Sequence, residues 1–304
     1  MKLAAIDIGS NAIRLQIVKV YEEKKLVSFK RLQFLRFPLR LGHDVFEDGK
    51  ISKATLLKFT KLMCTFQNLI ELYEVTAYSA VATSAMREAK NGKAVRDHIE
   101  DHTGLSIDII TGNKEAKILY KAIIPFLKKK KNYVHIDVGG GSTELNVFNG
   151  KKLTKSKSFR IGSVRKIYKE ERIETFKSMK NWLSGIPLMQ QGNITSIGTG
   201  GNINKLYKIA NKEKGNYLPF AELKALRAYV NEYSIKERIS HLKMNPDRAD
   251  VIIPASEIYI KTMNFVNSDR IMVPQVGLKD GLIYELYERI SSHNLDEVEV
   301  LDED

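Results

Sequence analysis

A ten-residue segment of this chain occurs twice, and no other sequence feature constrains the fold as strongly. The first copy, Ile6–Leu15, reads IDIGSNAIRL, and the second, Ile136–Leu145, reads IDVGGGSTEL, at an offset of 130 residues. Each copy combines an apolar strand ending in aspartate, a turn of small residues and a returning strand, which predicts a β-hairpin. Because this offset is too long for a solenoid repeat, the duplication predicts two related domains with a cleft between them.

Strands and helices alternate in both halves, which is the pattern of an α/β fold. We predict strands over 76–83, 107–111 and 194–199, and helices from Ser52 and over 93–103. The length of 304 residues suits two domains, each large enough for its own core. We place the first domain at 1–120, with the C-terminal helix from Asp280 able to rejoin it, and the second at 121–304.

The charge balance favours an anionic partner. The chain carries 49 lysines and arginines against 36 aspartates and glutamates, a net charge of +13. Such a surface attracts polyanions such as polyphosphate, nucleotides or nucleic acid. A lysine-rich proteome with solvated lysine faces is the alternative explanation, and Lys128–Lys131 is predicted to close a helix, where cations suit the dipole. We find no basic face interleaved with aromatic residues, so we do not expect nucleic-acid binding.

Cysteine usage and hydropathy argue against other classes. Cys64 is the single cysteine, so it cannot form an internal disulfide, and its apolar neighbours indicate a core position. No uninterrupted apolar stretch reaches the length that crosses a membrane. We therefore expect a cytoplasmic protein without a membrane partner.

The second copy of the hairpin carries the strongest chemical signal. Its glycine triplet, Gly139–Gly141, is followed by Ser142 and lies between Asp137 and Glu144. Three glycines allow successive backbone N–H groups to converge on an anion, and the serine adds a hydroxyl donor. The two carboxylates suit a Mg²⁺ ion that bridges protein and phosphate oxygens. A plain hairpin turn needs fewer glycines, so we favour a phosphate site.

Two further turns are weaker candidates for phosphate contacts. In the first copy the turn is Gly9–Asn11, and Arg14 adds a charged fork on the returning strand. The segment Gly198–Asn202 leads from a strand to a helix predicted near Ile203, where backbone donors favour anions. Each has an ordinary explanation as well: a surface arginine in one case, and strand–helix packing in the other.

Two charged residues cannot be singled out by physical arguments alone. Glu115 falls in the first turn of a helix that Asn113 could cap, where an acid suits the helix dipole. Arg87 lies in the polar segment Ala82–Asn91, just past a strand end, where α/β sheets bind ligands. Dipole compensation and loop polarity account for both residues without any function.

The motifs together resemble the exopolyphosphatase and guanosine pentaphosphate phosphohydrolase family, which belongs with actin, sugar kinases and heat-shock ATPases. The resemblance covers nearly the whole chain. It rests on segments that occur in the family's order: Asp7–Leu15, Ala82–Asn91, Thr111–Ala116, Asp137–Leu145, Ile161–Arg165, Ala249–Pro254 and Gly277–Gly281.

The resemblance implies two ribonuclease-H-like (actin-like ATPase) domains flanking a central cleft, a water nucleophile and Mg²⁺ or another divalent cation. It places the essential glutamate at Glu115, which would position or deprotonate the water, with Asp137 and Glu144 assisting it. Asp7, Asp137 and Glu144 would bind the metal. The residues that would hold phosphates are Ser10, Asn11, Arg14, Arg87, Gly140, Gly141, Ser142, Gly200 and Gly201.

The expected activity is release of orthophosphate from the ends of polyphosphate, and members of the family form homodimers. The chain departs from the family's usual residues at Ala12, Lys114, Asn202 and Lys279. Many relatives continue into a helical domain beyond the point where this sequence ends, so we expect short polyphosphate chains to be favoured. Three alternatives stay open: hydrolysis of guanosine pentaphosphate, a non-catalytic polyphosphate or alarmone sensor, and phosphate transfer to an acceptor such as ADP.

Overall fold

The computed structural model describes residues 1–23, 26–211, 216–291, 295 and 299–301. The chain forms two compact units: unit 1 combines Met1–Ala122 with the chain from Gly277 onward, and unit 2 is Ile123–Val276. The division after Ala122 lies two residues from the predicted boundary at 120. The C-terminal segment, which the prediction left open between the two domains, belongs to unit 1.

Unit 1 alternates strands and helices. Its described elements are β1 (Lys2–Ile8), β2 (Ile13–Glu23), β3 (Leu26–Phe37), α1 (Leu41–Asp48), α2 (Lys53–Leu72), β4 (Ala77–Ala82), α3 (Ser84–Glu88), α4 (Gly92–Thr103), β5 (Asp108–Ile109) and α5 (Gly112–Ile123), joined at the C-terminus by α13 (Leu278–Ser291) and β12 (Glu299–Leu301).

The sheet of unit 1 has the order β12-β3-β2-β1-β4-β5. Strands β1, β2 and β3 form an antiparallel meander, while β4 and β5 continue the sheet in parallel on the other side of β1. Alternate residues of β1 face opposite sides, so Ala4 and Ile6 join a core with Phe59 of α2, whereas Ala5 joins a second core with Leu282 of α13. Both faces of this sheet are therefore apolar.

Helix α13 is fixed to unit 1 by close backbone packing and by polar contacts. A Cβ added to Gly281 would lie 2.0 Å from the carbonyl oxygen of Ile118 in α5, so only glycine fits there. Gln16 Nε2 of β2 donates to Asp280 Oδ1 at 3.0 Å. These contacts explain why the last helix packs with the first part of the chain.

Unit 2 also alternates strands and helices. Its described elements are the 3₁₀ turn Ile124–Phe126, β6 (Asn132–Val138), β7 (Thr143–Asn149), β8 (Lys152–Phe159), α6 (Lys169–Ser184), α7 (Pro187–Gln190), β9 (Ile194–Thr199), α8 (Gly201–Ile209), β10 (Tyr217–Pro219), α9 (Phe220–Glu232), α10 (Ile235–Ser240), α11 (Pro246–Ala249), α12 (Ile252–Phe265) and β11 (Arg270–Met272).

The sheet of unit 2 has the order β10-β11-β9-β6-β7-β8. As in unit 1, a three-stranded antiparallel meander is extended by parallel strands on the far side of its first strand. The units therefore share the frame of ribonuclease-H-like domains, in which a three-stranded meander is followed by two parallel strands beside its first strand. This agreement confirms the predicted α/β fold class and its link to the duplicated hairpin.

The remaining local predictions are mostly correct. The strand at 107–111 is shorter than predicted, at Asp108–Ile109, and helix α8 begins at Gly201 rather than near Ile203. One prediction was wrong: Lys128–Lys131 does not close a helix, because α5 ends at Ile123 and the following 3₁₀ turn ends at Phe126. None of the helices in the described ranges is both long and apolar enough to cross a lipid bilayer.

Candidate active site

The glycine hairpin of unit 2 places two carboxylates opposite each other. Strands β6 and β7 pair so that Asp137 faces Glu144, and the N–H of Gly139 donates to the carbonyl of Ser142 at 3.0 Å. Facing residues of an antiparallel pair have Cβ atoms about 5 Å apart. Glu144 is buried and Asp137 is half-buried, so this strand pair alone brings two acidic groups to one position beside the turn.

A segment that follows β8 holds the glycine turn, because its N–H groups and an arginine side chain donate to the carbonyl groups of the turn. The carbonyl of Gly140 accepts the N–H groups of Val164, at 2.8 Å, and Arg165, at 3.0 Å. The Arg165 side chain donates from Nε to the carbonyl of Gly141 at 2.6 Å. Because the C=O and N–H of a trans peptide point in opposite directions, the next N–H groups are directed away from this segment. Such outward N–H groups are what an anion-binding turn requires.

Hydroxyl groups donate to both carboxylates of unit 2. Glu144 Oε1 accepts from Ser142 Oγ at 2.7 Å and from Ser158 Oγ at 2.8 Å. Asp137 Oδ1 accepts from Thr199 Oγ1 at 2.5 Å. Hydrogen bonds to an ionised carboxylate stabilise its charge and fix its orientation. The resulting set of hard carboxylate oxygens fits Mg²⁺ or another hard divalent cation.

The third candidate turn lies beside Asp137, at the N-terminus of α8. Gly200 has φ 109°, and an added Cβ would lie 3.0 Å from the carbonyl oxygen of Val138 and 3.6 Å from Asp137 Oδ1. The hydroxyl of Tyr259 donates to the carbonyl of Thr199. Burial, and then the charge of Asp137, raise the pKa of Tyr259 well above its ordinary value. This turn therefore needs glycine for its backbone conformation, and the nearest neighbour that an added Cβ would crowd is the Val138 carbonyl.

The hairpin of unit 1 makes the same turn with different side chains. The N–H of Gly9 donates to the carbonyl of Ala12 at 3.2 Å, and Asp7 faces Arg14 across the strands. Arg14 Nη1 donates to Asp7 Oδ2 at 2.6 Å. The Ser10 hydroxyl lies 2.8 Å from that of Ser84, and both are buried. Asp7, a predicted metal ligand, and Arg14, a predicted phosphate ligand, are therefore paired with each other.

The backbone of this first turn is also held by its carbonyl groups. The carbonyl of Ser10 accepts the N–H of Gly42 at 2.7 Å, and the carbonyl of Asn11 accepts the N–H of Arg40 at 3.0 Å. As in unit 2, the segment that holds the turn follows the third strand of the meander. The duplication therefore includes the support of the turn as well as the turn.

Glu115 and Arg87 lie next to each other within unit 1. Glu115 is buried in the first turn of α5, and its Oε2 lies 3.7 Å from Arg87 Nη1. The same Arg87 nitrogen donates to the carbonyl of Ile110 at 2.7 Å. Packing of α3 and α5 against the carboxyl ends of β4 and β5 thus pairs two residues whose local sequence gave no functional signal.

The predicted site residues fall into two groups, one in each unit. Asp7, Ser10, Asn11, Arg14, Arg87 and Glu115 lie in unit 1, and Asp137, Gly140, Gly141, Ser142, Glu144, Gly200 and Gly201 lie in unit 2. Sequence reasoning missed Thr199, His135 and Tyr259. The duplication offered a signal for His135, since Ala5 stands at the matching position, but nothing in the sequence linked Tyr259 to a turn 60 residues away.

Comparison with known proteins agrees with this geometry. The sequence pattern described as the Ppx/GppA phosphatase family matches residues 19–290. The chain belongs to this family. The match spans both units, and it confirms the resemblance that the duplicated hairpin and the ordered segments predicted.

Similar sequences carry the names of phosphatases and pyrophosphatases. A bifunctional 3-dehydroquinate synthase/phosphatase of Fusobacterium nucleatum is 27% identical, over 93% of this chain and 46% of its own length. A guanosine-5'-triphosphate,3'-diphosphate pyrophosphatase of Photobacterium profundum is 22% identical, over 97% of this chain and 61% of its own length. A putative exopolyphosphatase of Haemophilus influenzae is 21% identical, over 94% of this chain and 91% of its own length. This chain thus spans about half of the length of the first relative and about three fifths of the length of the second.

A solved structure shows the same fold over almost the whole chain. A Ppx/GppA family member from Aquifex aeolicus is 26% identical, with a TM-score of 0.77, over 97% of this chain and 99% of that one. An exopolyphosphatase from Cytophaga hutchinsonii has a TM-score of 0.81 at 21% identity, which bears on the fold alone.

Proposed function

We propose that this Ppx/GppA member is an exopolyphosphatase, which hydrolyses the terminal phosphoanhydride bond of inorganic polyphosphate and releases orthophosphate. The observation that supports this most is the glycine turn of unit 2, with its N–H groups directed outward between two carboxylates. A terminal phosphate needs donors for its oxygens and a divalent cation for its charge, and this arrangement supplies ligands for both.

The residues of unit 2 would bind the terminal phosphate. In this proposal the backbone N–H groups of Gly140, Gly141, Gly200 and Gly201 donate to phosphate oxygens. The Ser142 hydroxyl, which here gives its one proton to Glu144 Oε1, would turn to a phosphate oxygen when the substrate binds. A bound Mg²⁺ ion, held by Asp137 and Glu144, would polarise the phosphoryl group. The hydroxyls of Ser158 and Thr199, which donate to Glu144 Oε1 and Asp137 Oδ1, keep these two carboxylates in a fixed orientation.

The residues of unit 1 would bind the polyphosphate chain and activate the water that attacks its terminal phosphate. Following the family resemblance, we assign Glu115 as the group that positions or deprotonates the water, beside Arg87 as a phosphate ligand. Ser10, Asn11 and Arg14 would contact phosphates. The resemblance also assigns a metal contact to Asp7, but Arg14 already balances its charge at 2.6 Å, so we expect Asp7 to contribute less than Asp137 or Glu144.

A second substrate is favoured by the names of the relatives. Several similar proteins are named guanosine-5'-triphosphate,3'-diphosphate pyrophosphatases, including that of Photobacterium profundum. That reaction cleaves a terminal phosphoanhydride bond as well, so the same carboxylates and N–H groups serve both substrates. The two functions differ only in whether a guanosine is bound. The net charge of +13 attracts either polyanion.

The test is orthophosphate release in the presence of Mg²⁺ from short polyphosphate, long polyphosphate and guanosine pentaphosphate. We expect release from polyphosphate, and a loss of about a hundredfold or more in Glu115→Gln and Glu144→Gln. Glu174→Gln is the matched control, because Glu174 is exposed on α6 and pairs only loosely with Lys177 at 3.6 Å. Full activity in both active-site variants would contradict the assigned roles, and binding without release would leave a sensor. Light scattering of the same preparation tests the expected homodimer.

A further inference from the structure

A row of hydrogen-bonded side chains crosses the sheet of unit 2 and ends on Asp137. Ser156 Oγ of β8 donates to Asn146 Oδ1 of β7 at 2.6 Å, and Asn146 Nδ2 lies 3.1 Å from His135 Nδ1 of β6. His135 Nε2 lies 2.8 Å from Thr199 Oγ1 of β9, which donates to Asp137 Oδ1 at 2.5 Å. The three middle members are almost completely buried, so each depends on its neighbours in the row.

The direction of every hydrogen bond in this row follows from its last member. An ionised carboxylate only accepts, so Thr199 gives its single hydroxyl proton to Asp137. Thr199 must then accept from Nε2–H of His135, which leaves Nδ1 of His135 as an acceptor for the Asn146 amide. The amide oxygen of Asn146 is thereby turned toward Ser156, as observed. Five side chains therefore share one consistent direction, with the imidazole neutral and protonated on Nε2.

The duplicated hairpin shows that the fold does not require polar groups at the positions of His135 and Thr199. In unit 1, Ala5 occupies the position of His135, at the offset of 130 residues. Val81 pairs with Asp7 in the same register in which Thr199 pairs with Asp137. Both Ala5 and Val81 are buried in an apolar cluster. Buried polar groups in place of apolar ones are unfavourable unless they are fully satisfied, so the row needs another explanation.

We propose that His135 is a positioning residue for Asp137 and acts through Thr199. The imidazole holds the Thr199 hydroxyl in the one rotamer that donates to Oδ1, and the hydroxyl in turn fixes the plane of the carboxylate. Asp137 then meets a divalent cation or a phosphate-bound water in one orientation. This inference rests on the proposed role of Asp137. It assigns to His135 and Thr199 a contribution to metal affinity that neither makes by direct contact.

The first experiment measures metal binding in the absence of any phosphate substrate. We titrate the full chain with Mn²⁺, followed by electron paramagnetic resonance, and with Mg²⁺, followed by calorimetry. Replacing a group that orients a metal ligand typically weakens metal binding by about 10–100-fold. We expect this loss in Thr199→Val, which copies the residue of unit 1, and recovery to within about threefold in Thr199→Ser, which restores the hydroxyl.

A control separates positioning from general damage to the core. Thr262→Val removes another completely buried hydroxyl of unit 2, whose partner is the carbonyl of Ile258 in its own helix. We expect unchanged metal affinity in this variant. Fluorescence of Trp182, the single tryptophan, reports whether unit 2 of each variant is folded under the conditions of the titration.

The second experiment tests the direction of the row. Nitrogen chemical shifts of the His135 ring are expected to show a proton on Nε2 alone in the native chain, and a mixture of tautomers in Thr199→Val. In a double-mutant cycle, His135→Ala and Thr199→Val should be non-additive in metal affinity, because either change breaks the same row.

Three results would overturn the inference: native-like Mn²⁺ affinity in Thr199→Val, additive losses in the cycle, or a proton on Nδ1 of His135. Failure of the proposed function has a different signature. A native chain that binds Mn²⁺ and responds to Thr199→Val, but releases no phosphate from any substrate, would refute the hydrolase and leave the positioning role of His135 intact.

Discussion

In unit 1 the aspartate at the end of the first strand faces an arginine, whereas in unit 2 its counterpart faces a glutamate. Arg14 donates to Asp7 at 2.6 Å, so the first hairpin carries balanced charge. Asp137 and Glu144 instead accept hydrogen bonds from uncharged hydroxyls of threonine and serine. The same backbone turn thus supports two electrostatic environments, and the second is the one in which we propose that a divalent cation binds.

The same contrast extends to the sheet face behind each aspartate. In unit 1 that face carries Ala5 and Val81, which lie in the apolar cluster that includes α13, together with the polar Gln16. In unit 2 it carries His135, Asn146 and Thr199, all buried. In both units a later segment holds the turn by hydrogen bonds, and a glycine of that segment, Gly42 in one and Gly162 in the other, lies close against the turn. The comparison therefore separates what the fold needs from what the chemistry needs.

The largest expected difference concerns the two acids. Glu144→Gln should lower the rate of phosphate release by about a hundredfold or more, because it removes a charge from the proposed metal site. Asp7→Asn should lower the rate by about tenfold or less, since Arg14 already balances Asp7. Steady-state rates with short polyphosphate measure both. Equal losses of rate in the two variants would show that the Arg14–Asp7 salt bridge does not make Asp7 less important than Glu144.

A second difference concerns the glycines that hold the turns. A Cβ on Gly162 would lie 2.4 Å from the carbonyl oxygen of Gly140. Because this oxygen belongs to the backbone of the turn, the clash can be relieved only if the turn itself moves. We expect Gly162→Ala to lower the free energy of unfolding of unit 2 by about 3 kcal/mol, measured in urea by Trp182 fluorescence.

The matching change in unit 1 should cost less. A Cβ on Gly42 would first meet the Phe46 ring, at 2.7 Å, and a side chain can move aside. We expect a loss of about 1 kcal/mol in Gly42→Ala and almost none in Gly277→Ala, where no atom lies within 4 Å of the added Cβ. Hydrogen exchange of the β1–β2 hairpin measures these two variants. A larger loss at Gly42 than at Gly162 would contradict this account of how the turns are held.

Acid should destabilise unit 2 through His135, which has no counterpart in unit 1. Burial lowers the pKa of His135 from 6.5 to about 3. Between these values the unfolded chain binds a proton that the folded chain does not, so stability rises with pH there. The stabilisation is complete above pH 6.5 and is lost as the pH falls toward 3, by about 1.4 kcal/mol per pH unit from this one group.

Urea unfolding of unit 2 at several pH values, followed by Trp182, measures that slope. The slope should decrease in His135→Gln and stay unchanged in His98→Gln, because His98 is an exposed residue of unit 1. An unchanged slope without His135 would mean that other groups cause the acid sensitivity.

A further small effect is expected at Gln16, the counterpart of Asn146. Gln16→Met removes one hydrogen bond to Asp280, which still accepts from the N–H of Gly277 at 2.7 Å. We expect a loss of about 1 kcal/mol in unit 1, the usual net value of one such bond. Faster hydrogen exchange in α13 would show it, while the Trp182 transition of unit 2 stays in place. A shift of that transition would indicate that the two units do not unfold independently.

Much of the architecture could be predicted because its signals are local. Strand β4 and helices α2 and α4 appeared within one or two residues of their predicted positions, since hydrophobic periodicity and turn residues determine them. The role of Lys128–Lys131 was mistaken, because a lysine cluster is compatible with a helix end or with a turn, and Pro125 lies in the 3₁₀ turn that ends the helical segment.

By itself the sequence determined the duplicated hairpin, the α/β class and the glycine turn with its two acids, while the phosphatase family entered through a resemblance of ordered segments. These follow from short segments whose residue types permit only a few backbone conformations and few kinds of chemistry. Only the tertiary structure decided that Arg14 pairs with Asp7, that Arg87 lies beside Glu115 and that His135 reaches Asp137 through Thr199. Those contacts join different strands and helices, and strand register and packing, rather than neighbours in sequence, bring their atoms within hydrogen-bonding distance.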